Sequence, residues 1–253
     1  MKRSQNTNRI STVSLLMILG LLCAAFLILK LTSGLGSDVK PVDNEPKVNS
    51  EAQLDAVYSP LDPELTSADS YTVFVDKKHP LPSTYVPSDL YEPYIPSTSE
   101  VLSMRQEVGV KAQEMIKAAK EAEISLYLMA AYRSYDDQQD YYRSRADLLG
   151  EKAVASLVDK PGHSEHQTGL ALDFTDDPSG TESMSFADTE AFAWLCENAH
   201  NYGFILRYPE GKEKYTGYSF RPWHFRYVGT ITANSIYAMG KDATFEEFFG
   251  IVR

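Results

Sequence analysis

Cysteine is scarce in this 253-residue chain, which contains only Cys23 and Cys196. Cys23 lies in an N-terminal apolar stretch, so the rest of the chain holds a single thiol and cannot form an internal disulfide. Its stability must come from packing or from a bound metal. Disulfides are common in eukaryotic secreted domains, so their absence favours a Gram-positive-like bacterial exterior over a eukaryotic secretory route.

Positive charge is also scarce. The chain has 24 Lys and Arg against 35 Asp and Glu, which gives a formal net charge of −11. A nucleic-acid partner requires a basic surface that neutralises phosphates, so this composition excludes one. The length and the 43% content of apolar residues fit one globular domain with appendages.

The first 31 residues contain the one long apolar run. Ser11–Leu29 follows three basic residues and nearly matches the roughly 20 residues of a membrane-spanning helix. Because the basic residues precede the run, the sequence predicts a cytoplasmic stub and a single-pass signal anchor over residues 1–31, with an extracytoplasmic C-terminal domain. A signal peptide cleaved near Ser33 is the alternative. A lipid anchor on Cys23 is disfavoured because Leu22 precedes it.

A polar spacer is predicted over residues 32–70, because this segment is rich in Ser, Asp, Pro, Asn and Glu. The folded domain is predicted over residues 71–253, starting with the strand-like segment "YTVFV". Apolar residues three and four apart predict a helix over Val101–Glu121. Ser134 is a predicted N-cap for the following helix, and a third helix is predicted over Thr189–Tyr202.

Strands are predicted at "ISLYLMAAY", "LALDF" and "PWHFRYVG". Ala153–Gly169 is predicted to be a polar loop, and two short helices, Ile231–Met239 and Phe245–Phe249, close the chain. The helices and strands do not alternate regularly. The expected fold class is therefore α+β, with a small, mainly antiparallel sheet against which helices pack.

Two histidines occur in dense polar segments. In "GHSEHQTGLALDF", His166 precedes Asp173 with a glycine and a strand between them, and His224 lies in "RPWHFRYVG". Two imidazoles and one carboxylate with an open fourth position form a catalytic type of zinc site. The alternative from spacing alone is a loop histidine, a hydrogen-bonded aspartate and a core histidine beside Trp223.

The order of five segments resembles the D-alanyl-D-alanine carboxypeptidase family of zinc peptidases, which includes the vancomycin-resistance carboxypeptidases and shares its fold with hedgehog-type domains. These segments are "PLPSTYVPSDL", "AYRSYDDQ", "GHSEHQTGLALDF", "ENAHNYGFILRYPEGKEKYTGY" and "PWHFRYVG". The family pattern S-x-H-x-x-G-x-A-x-D falls on Ser164, His166, Gly169, Ala171 and Asp173. The resemblance covers Tyr71 to about Met239.

The resemblance implies that His166, Asp173 and His224 bind Zn²⁺, and that the substrate is a peptidoglycan stem peptide ending in D-Ala. It also implies that Arg133, Ser134 and Gln138, with Ser164 of the motif, bind the substrate. A guanidinium can grip a terminal carboxylate with two charge-assisted hydrogen bonds, which agrees with this role. A surface ion pair with Asp136 or Asp137 is the alternative for Arg133.

Arg221 departs from the family. The family pattern before the last histidine is Glu-x-x-His, in which the glutamate is the base that deprotonates the attacking water, and here that position is Arg221. Arginine stays protonated and cannot accept a proton, and a cation beside a metal site disfavours metal binding. Loss of a general base lowers turnover by about 10²–10⁴-fold.

Two functions remain open from the sequence. One is a metallocarboxypeptidase, in which Arg221 stabilises the developing oxyanion or a different carboxylate acts as base. The other is a non-catalytic relative that binds or senses wall peptides. The candidates for a substitute base are the acidic residues near the family motifs: Asp176, Asp177, Glu210 and Glu213.

Overall fold

The computed structural model describes residues 63–98 and 102–251. No helix within these two ranges is long and apolar enough to span a bilayer. The predicted signal anchor and most of the predicted spacer lie outside them. The described residues include helix α1 (Pro63–Thr66), which lies before the predicted domain start at Tyr71 and buries Leu65. The N–H of Phe74 donates to the Leu65 carbonyl at 2.8 Å and ties α1 to the domain.

The strands are short and the helices are of very unequal length. The strands are β1 (Leu90–Tyr91), β2 (Met104–Arg105), β3 (Tyr127–Ala130), β4 (Ala171–Thr175), β5 (Phe204–Leu206) and β6 (His224–Tyr227). The helices after α1 are α2 (Gln106–Glu121), α3 (Tyr135–Leu149), α4 (Glu151–Leu157), α5 (Glu190–Asn198), α6 (Glu213–Thr216), α7 (Thr230–Met239) and α8 (Phe245–Phe249). Short 3₁₀ turns cover Glu165–Thr168, Met184–Asp188 and Ala199–Tyr202.

The central sheet has four strands in the order β3-β4-β6-β5, and each neighbouring pair is antiparallel. A separate pair, β1 and β2, is also antiparallel. These sheets and the helices around them confirm the predicted α+β class. The two central strands, β4 and β6, are buried along their whole length.

The two faces of the central sheet have different contents because successive side chains on a strand point in opposite directions. Phe174 of β4 and Phe225 of β6 belong to the main hydrophobic core, together with the buried face of α2. Asp173 directly precedes Phe174 and His224 directly precedes Phe225, so both point to the other face. The polar side chains Asp173 and His224 therefore lie on one face of the sheet, and the hydrophobic core packs against the opposite face.

Several predicted elements differ in detail from the structure. The "YTVFV" segment is buried but is not a strand; its carbonyls at Tyr71 and Val73 accept from the Arg226 guanidinium instead. The predicted loop Ala153–Gly169 contains most of α4 and a 3₁₀ turn. The helix predicted from Val101 begins at Gln106. The predicted Ser134 N-cap is confirmed, because the Ser134 hydroxyl accepts from the Asp137 N–H at 3.1 Å.

Candidate active site

The register between β4 and β6 builds half of the site. Asp173 pairs directly with His224 across the two antiparallel strands, and directly opposed side chains on one face lie close together. His224 Nδ1 is 2.8 Å from Asp173 Oδ1. Both side chains are only 2% exposed, so bulk water has little access to either group.

His166 reaches the same point from the 3₁₀ turn Glu165–Thr168. The buried Ser164 begins this turn, where its hydroxyl accepts from the His166 N–H. Gly169 ends it with φ +67°, and a Cβ there would lie 3.0 Å from Arg105 Cγ. Only glycine fits this position without strain, which explains the glycine of the S-x-H-x-x-G segment. His166 Nε2 lies 3.2 Å from Asp173 Oδ2.

The hydrogen bonds around the imidazoles leave one nitrogen of each directed at Asp173. The Ala131 carbonyl lies 2.6 Å from His166 Nδ1 and accepts its proton, which leaves Nε2 as the free donor atom. On the far side of His224, a Glu165 oxygen lies 3.3 Å from Nε2, which leaves Nδ1 free. Carbonyl and carboxylate partners of this kind fix the tautomer of metal-binding histidines.

The three side chains fit a zinc ion in spacing and chemistry. Their donor atoms all lie within 4.8 Å of one another. Tetrahedral zinc with ligands at about 2.0–2.1 Å places donor atoms about 3.3 Å apart, close to the two separations measured at Asp173. His166, Asp173 and His224 therefore match a two-imidazole, one-carboxylate ligand set in spacing and donor type, with a fourth position left for a small molecule.

Glu165 is a buried contributor that the sequence did not single out. Its Oε1 accepts from Arg207 Nε at 2.8 Å and from Arg226 Nη1 at 2.7 Å, while its Oε2 faces His224. Arg207 continues the chain with two hydrogen bonds of 2.9 Å to Glu246 of α8. This chain of buried charges, Glu246–Arg207–Glu165–His224, connects the C-terminal helix to the candidate metal site.

Electrostatics keeps both carboxylates of the buried site ionised. Burial alone would raise the pKa of Glu165, but the Arg207 and Arg226 cations hold it well below its ordinary value. Burial alone would also raise the pKa of Asp173, but its contacts with the two imidazoles hold this pKa below its ordinary value. A deprotonated aspartate is the form that binds a metal ion.

A cleft of about 350 Å³ lies over the three ligands, and its wall includes Arg133 and Gln138. Arg133 Nη1 donates to Gln138 Oε1 at 2.9 Å, and the guanidinium lies 4.5 Å from the centre of the Tyr141 ring. Within the described residues, Arg133 forms no ion pair with Asp136 or Asp137. Ser134 does not line the cleft, and its hydroxyl caps α3 and donates to Asp137 Oδ2.

Arg221 lies in the cleft wall but is turned towards an acidic partner. Its Nη1 donates to Asp159 Oδ2 at 3.0 Å and its Nη2 to Asp159 Oδ1 at 3.3 Å, which is a bidentate ion pair. Burial alone would lower the pKa of Arg221, but this pairing raises it above its ordinary value. Arg221 is thus a fixed cation whose charge Asp159 largely neutralises, which reduces its repulsion of a metal ion.

The four acidic residues proposed from the sequence as substitute bases do not line the cleft. Asp176, Asp177, Glu210 and Glu213 are all exposed elsewhere on the surface. Glu182 lines the cleft instead. No family motif contains this residue, and only the path of the loop after β4 brings it to the site, so the sequence held no signal for it.

The fold and the site together define a class: an α+β domain with a buried His-Asp-His set under a cleft that carries an arginine. A family model described as VanY, D-alanyl-D-alanine carboxypeptidase, matches residues 101–230. This match covers half of the chain, and the chain belongs to that family. The family establishes a carboxypeptidase-type function directed at D-alanyl and peptidoglycan peptides.

Relatives and solved structures agree with this assignment. The putative carboxypeptidase YodJ of Bacillus subtilis (strain 168) is 37% identical over 194 residues, which cover 75% of this chain and 70% of YodJ. The LdcB LD-carboxypeptidase structure, which concerns peptidoglycan recognition, has a TM-score of 0.67 at 37% identity and covers 74% of this chain and 88% of LdcB. The structure of a glutamate-to-alanine mutant of the vancomycin-resistance D,D-pentapeptidase VanY in complex with Zn(II) has a TM-score of 0.56 at 29% identity. The match covers 70% of this chain and 97% of the VanY chain.

Proposed function

We propose that this protein is a zinc-dependent carboxypeptidase that removes the terminal D-alanine from peptidoglycan stem peptides. The observation that carries the proposal is the convergence of His166, Asp173 and His224, whose donor atoms lie within 4.8 Å beneath a cleft that contains Arg133. Such a ligand set is that of a catalytic zinc site, because it leaves a coordination position open. The Zn(II) complex of the related VanY enzyme supports the choice of metal.

Arg133 and Gln138 bind the terminal carboxylate of the peptide in this proposal. The Arg133 side chain is half-buried, and its guanidinium lies over the Tyr141 ring and donates to Gln138, so less freedom is lost when it binds a planar carboxylate. Gln138 is held by the Asp159 carbonyl at 2.7 Å and positions Arg133 through its own oxygen. The buried Ser164 acts indirectly, by fixing the turn that carries His166.

The metal would be held by His166 Nε2, Asp173 and His224 Nδ1, and it supplies Lewis acidity towards the scissile carbonyl and the attacking water. The rest of the chemistry belongs to the chain. Glu165 and the Ala131 carbonyl hold the imidazole protons on the outer nitrogens. The Arg133 grip places the last peptide bond over the three ligands, which converts a bimolecular encounter into an oriented one.

A second candidate function rests on Arg221. A family member without the usual glutamate can retain its cleft and its metal and use them to bind wall peptides without cleaving them. The bidentate pair with Asp159 favours this reading, because it makes Arg221 a permanently protonated wall residue. Anchoring in the cell membrane with the domain outside it stays a prediction of the sequence for either function.

The test is the digestion of defined stem peptides by purified, zinc-loaded protein, followed by mass spectrometry. We expect a pentapeptide or a tetrapeptide to lose one D-alanine, and a His166→Ala variant to lose this activity. Comparing the two peptides identifies the length that the cleft accepts. Peptide binding without any release, measured with the same preparation, would instead support the binding function.

A further inference from the structure

Among the residues that the structure describes, one carboxylate lining the cleft has no partner. Three carboxylates line it: Asp159, Asp173 and Glu182. Asp173 faces both imidazoles, and Asp159 is occupied by Arg221. Within the described part of the chain, the Glu182 carboxylate forms no hydrogen bond and no ion pair. Glu182 is therefore free to interact with a molecule in the cleft.

The position of Glu182 suits contact with both water and substrate. It lies in the loop between β4 and the 3₁₀ turn Met184–Asp188, and it is exposed at the rim. It lines the cleft over the three ligands and also the adjoining groove of about 1580 Å³. A side chain at this junction can reach a molecule that occupies the groove and the cleft.

From this placement, and on the basis of the proposed function, we propose that Glu182 is the general base of the site and replaces the family glutamate whose position Arg221 occupies. Unlike Asp173 and Asp159, this carboxylate holds no imidazole or guanidinium of the described residues, so it can accept a proton from a water molecule in the cleft. A general base must be such an unoccupied acceptor within reach of the attacking water.

The proton passes through Glu182 twice. As the oxygen of the attacking water bonds to the scissile carbonyl carbon, one water proton moves to the Glu182 carboxylate. That proton then moves to the amide nitrogen as the C–N bond breaks. The products are a shortened peptide with a new carboxylic acid and a free amino acid, and Glu182 returns to its ionised form.

The first test compares Glu182→Gln with Glu210→Gln in the full chain. We expect Glu182→Gln to lower kcat for D-alanine release by about 10²–10⁴-fold, with the KM and the bound zinc content unchanged. Glu182→Asp should recover part of the rate. Glu210 is exposed and outside the cleft, so Glu210→Gln should match the wild type. Release by Glu182→Gln at the wild-type rate would overturn the proposal.

A second measurement does not require turnover. A phosphinate analogue of D-Ala-D-Ala places a charged oxygen where the attacking water adds, and a protonated Glu182 donates a hydrogen bond to it. Glu182→Ala removes this donor, so its binding of the analogue, measured by calorimetry at matched zinc content, should be about tenfold or more weaker than that of the wild type. Glu210→Ala should bind the analogue as the wild type does. Equal affinity of Glu182→Ala and the wild type would overturn the proposal even if no peptide is cleaved.

The two proposals can therefore fail separately. If the wild type releases no D-alanine but Glu182→Ala weakens analogue binding, Glu182 faces the ligand and the proposed function is wrong. If the wild type releases D-alanine and Glu182→Gln does so equally well, the function holds and the base is another group.

Discussion

At the scale of single residues, the most consequential contact that the sequence did not reveal is that of Glu165 with His224. In the sequence, Glu165 is one polar residue within the polar segment "GHSEHQTG". The structure buries it to 1% exposure between two arginines that are themselves fully buried. No local pattern predicts such an arrangement, because Arg207 follows β5 and Arg226 lies in β6, both far from Glu165 in sequence, and only the packed fold brings them together. The candidate ligands were recognisable because His166 and Asp173 share one short motif and the family resemblance assigns His224 to the same site.

We expect Glu165→Gln to weaken zinc binding by about 10–100-fold, the usual effect of removing a carboxylate that orients a metal-binding histidine. Competition with a chromophoric chelator measures this affinity. Glu246→Gln is the matched control, because it also removes a carboxylate from Arg207 but does not touch His224. Equal losses of zinc affinity in both variants would show that general destabilisation, not the contact with His224, is responsible.

Arg221 provides the second prediction at this scale. If Glu182 already acts as base, Arg221→Glu alone should raise D-alanine release by far less than the roughly 10²–10⁴-fold that a new base contributes. The new carboxylate would also lie beside Asp159, whose ion pair with Arg221 is lost in this variant. In a Glu182→Gln background, the same change should restore much of the lost rate. Steady-state kinetics of both variants decide this.

Arg221→Gln is the control for that pair of variants, because glutamine removes the cation and cannot accept a proton. A full gain of release in the single Arg221→Glu variant would mean that the wild-type site has no base. The proposed role of Glu182 would then be wrong.

At the scale of secondary-structure elements, prediction succeeded where a periodic pattern or a cap was long enough to be distinctive. The buried face of α2 and the Ser134 cap of α3 are such cases. β5 was missed because Phe204–Leu206 is only three residues long, too short for a period of two to be recognised. α4 was read as loop because its segment buries little besides Val154, so its apolar pattern is weak.

The resemblance assigned Ser134 to substrate binding, whereas in the structure its hydroxyl caps the N-terminus of α3. Ser134→Ala should lower the free energy of unfolding by about 0.5–2 kcal/mol, because α3 loses its N-cap. Ser134→Thr should retain most of the stability. Denaturant unfolding measures the effect. A rise in KM for Ser134→Ala that Ser134→Thr does not share, without loss of stability, would show that the hydroxyl binds substrate.

The C-terminal helix α8 carries a pH prediction. Glu247 completes a capping box with Thr244 and pairs with Lys212 at 3.0 Å. Burial alone would raise the pKa of Glu247, but the Thr244 N–H and Lys212 lower it. A lowered pKa stabilises the fold above the ordinary glutamate value of about 4.3, and this contribution is lost as the pH falls below it. Thermal unfolding from pH 7 to pH 3 should therefore show a smaller acid loss in Glu247→Gln than in the wild type; equal slopes would contradict this.

At the scale of the whole molecule, four separate stretches of chain line one cleft. β4 and β6 supply Asp173 and His224, the 3₁₀ turn supplies His166, and the loop after β4 supplies Glu182. α8 reaches the same site through Arg207 and Glu165. The predicted anchor and spacer lie before these parts, and they would place the cleft on the outer side of the membrane, where stem peptides occur.

The most direct test of this account is metal removal and restoration in one preparation of purified protein. A strong chelator should abolish D-alanine release from a stem peptide, and added zinc should restore release in proportion to bound metal, up to one ion per chain. His166→Ala should neither bind zinc in this proportion nor recover release. Release that continues at the wild-type rate in the metal-free protein would contradict the claim that His166, Asp173 and His224 form a catalytic zinc site.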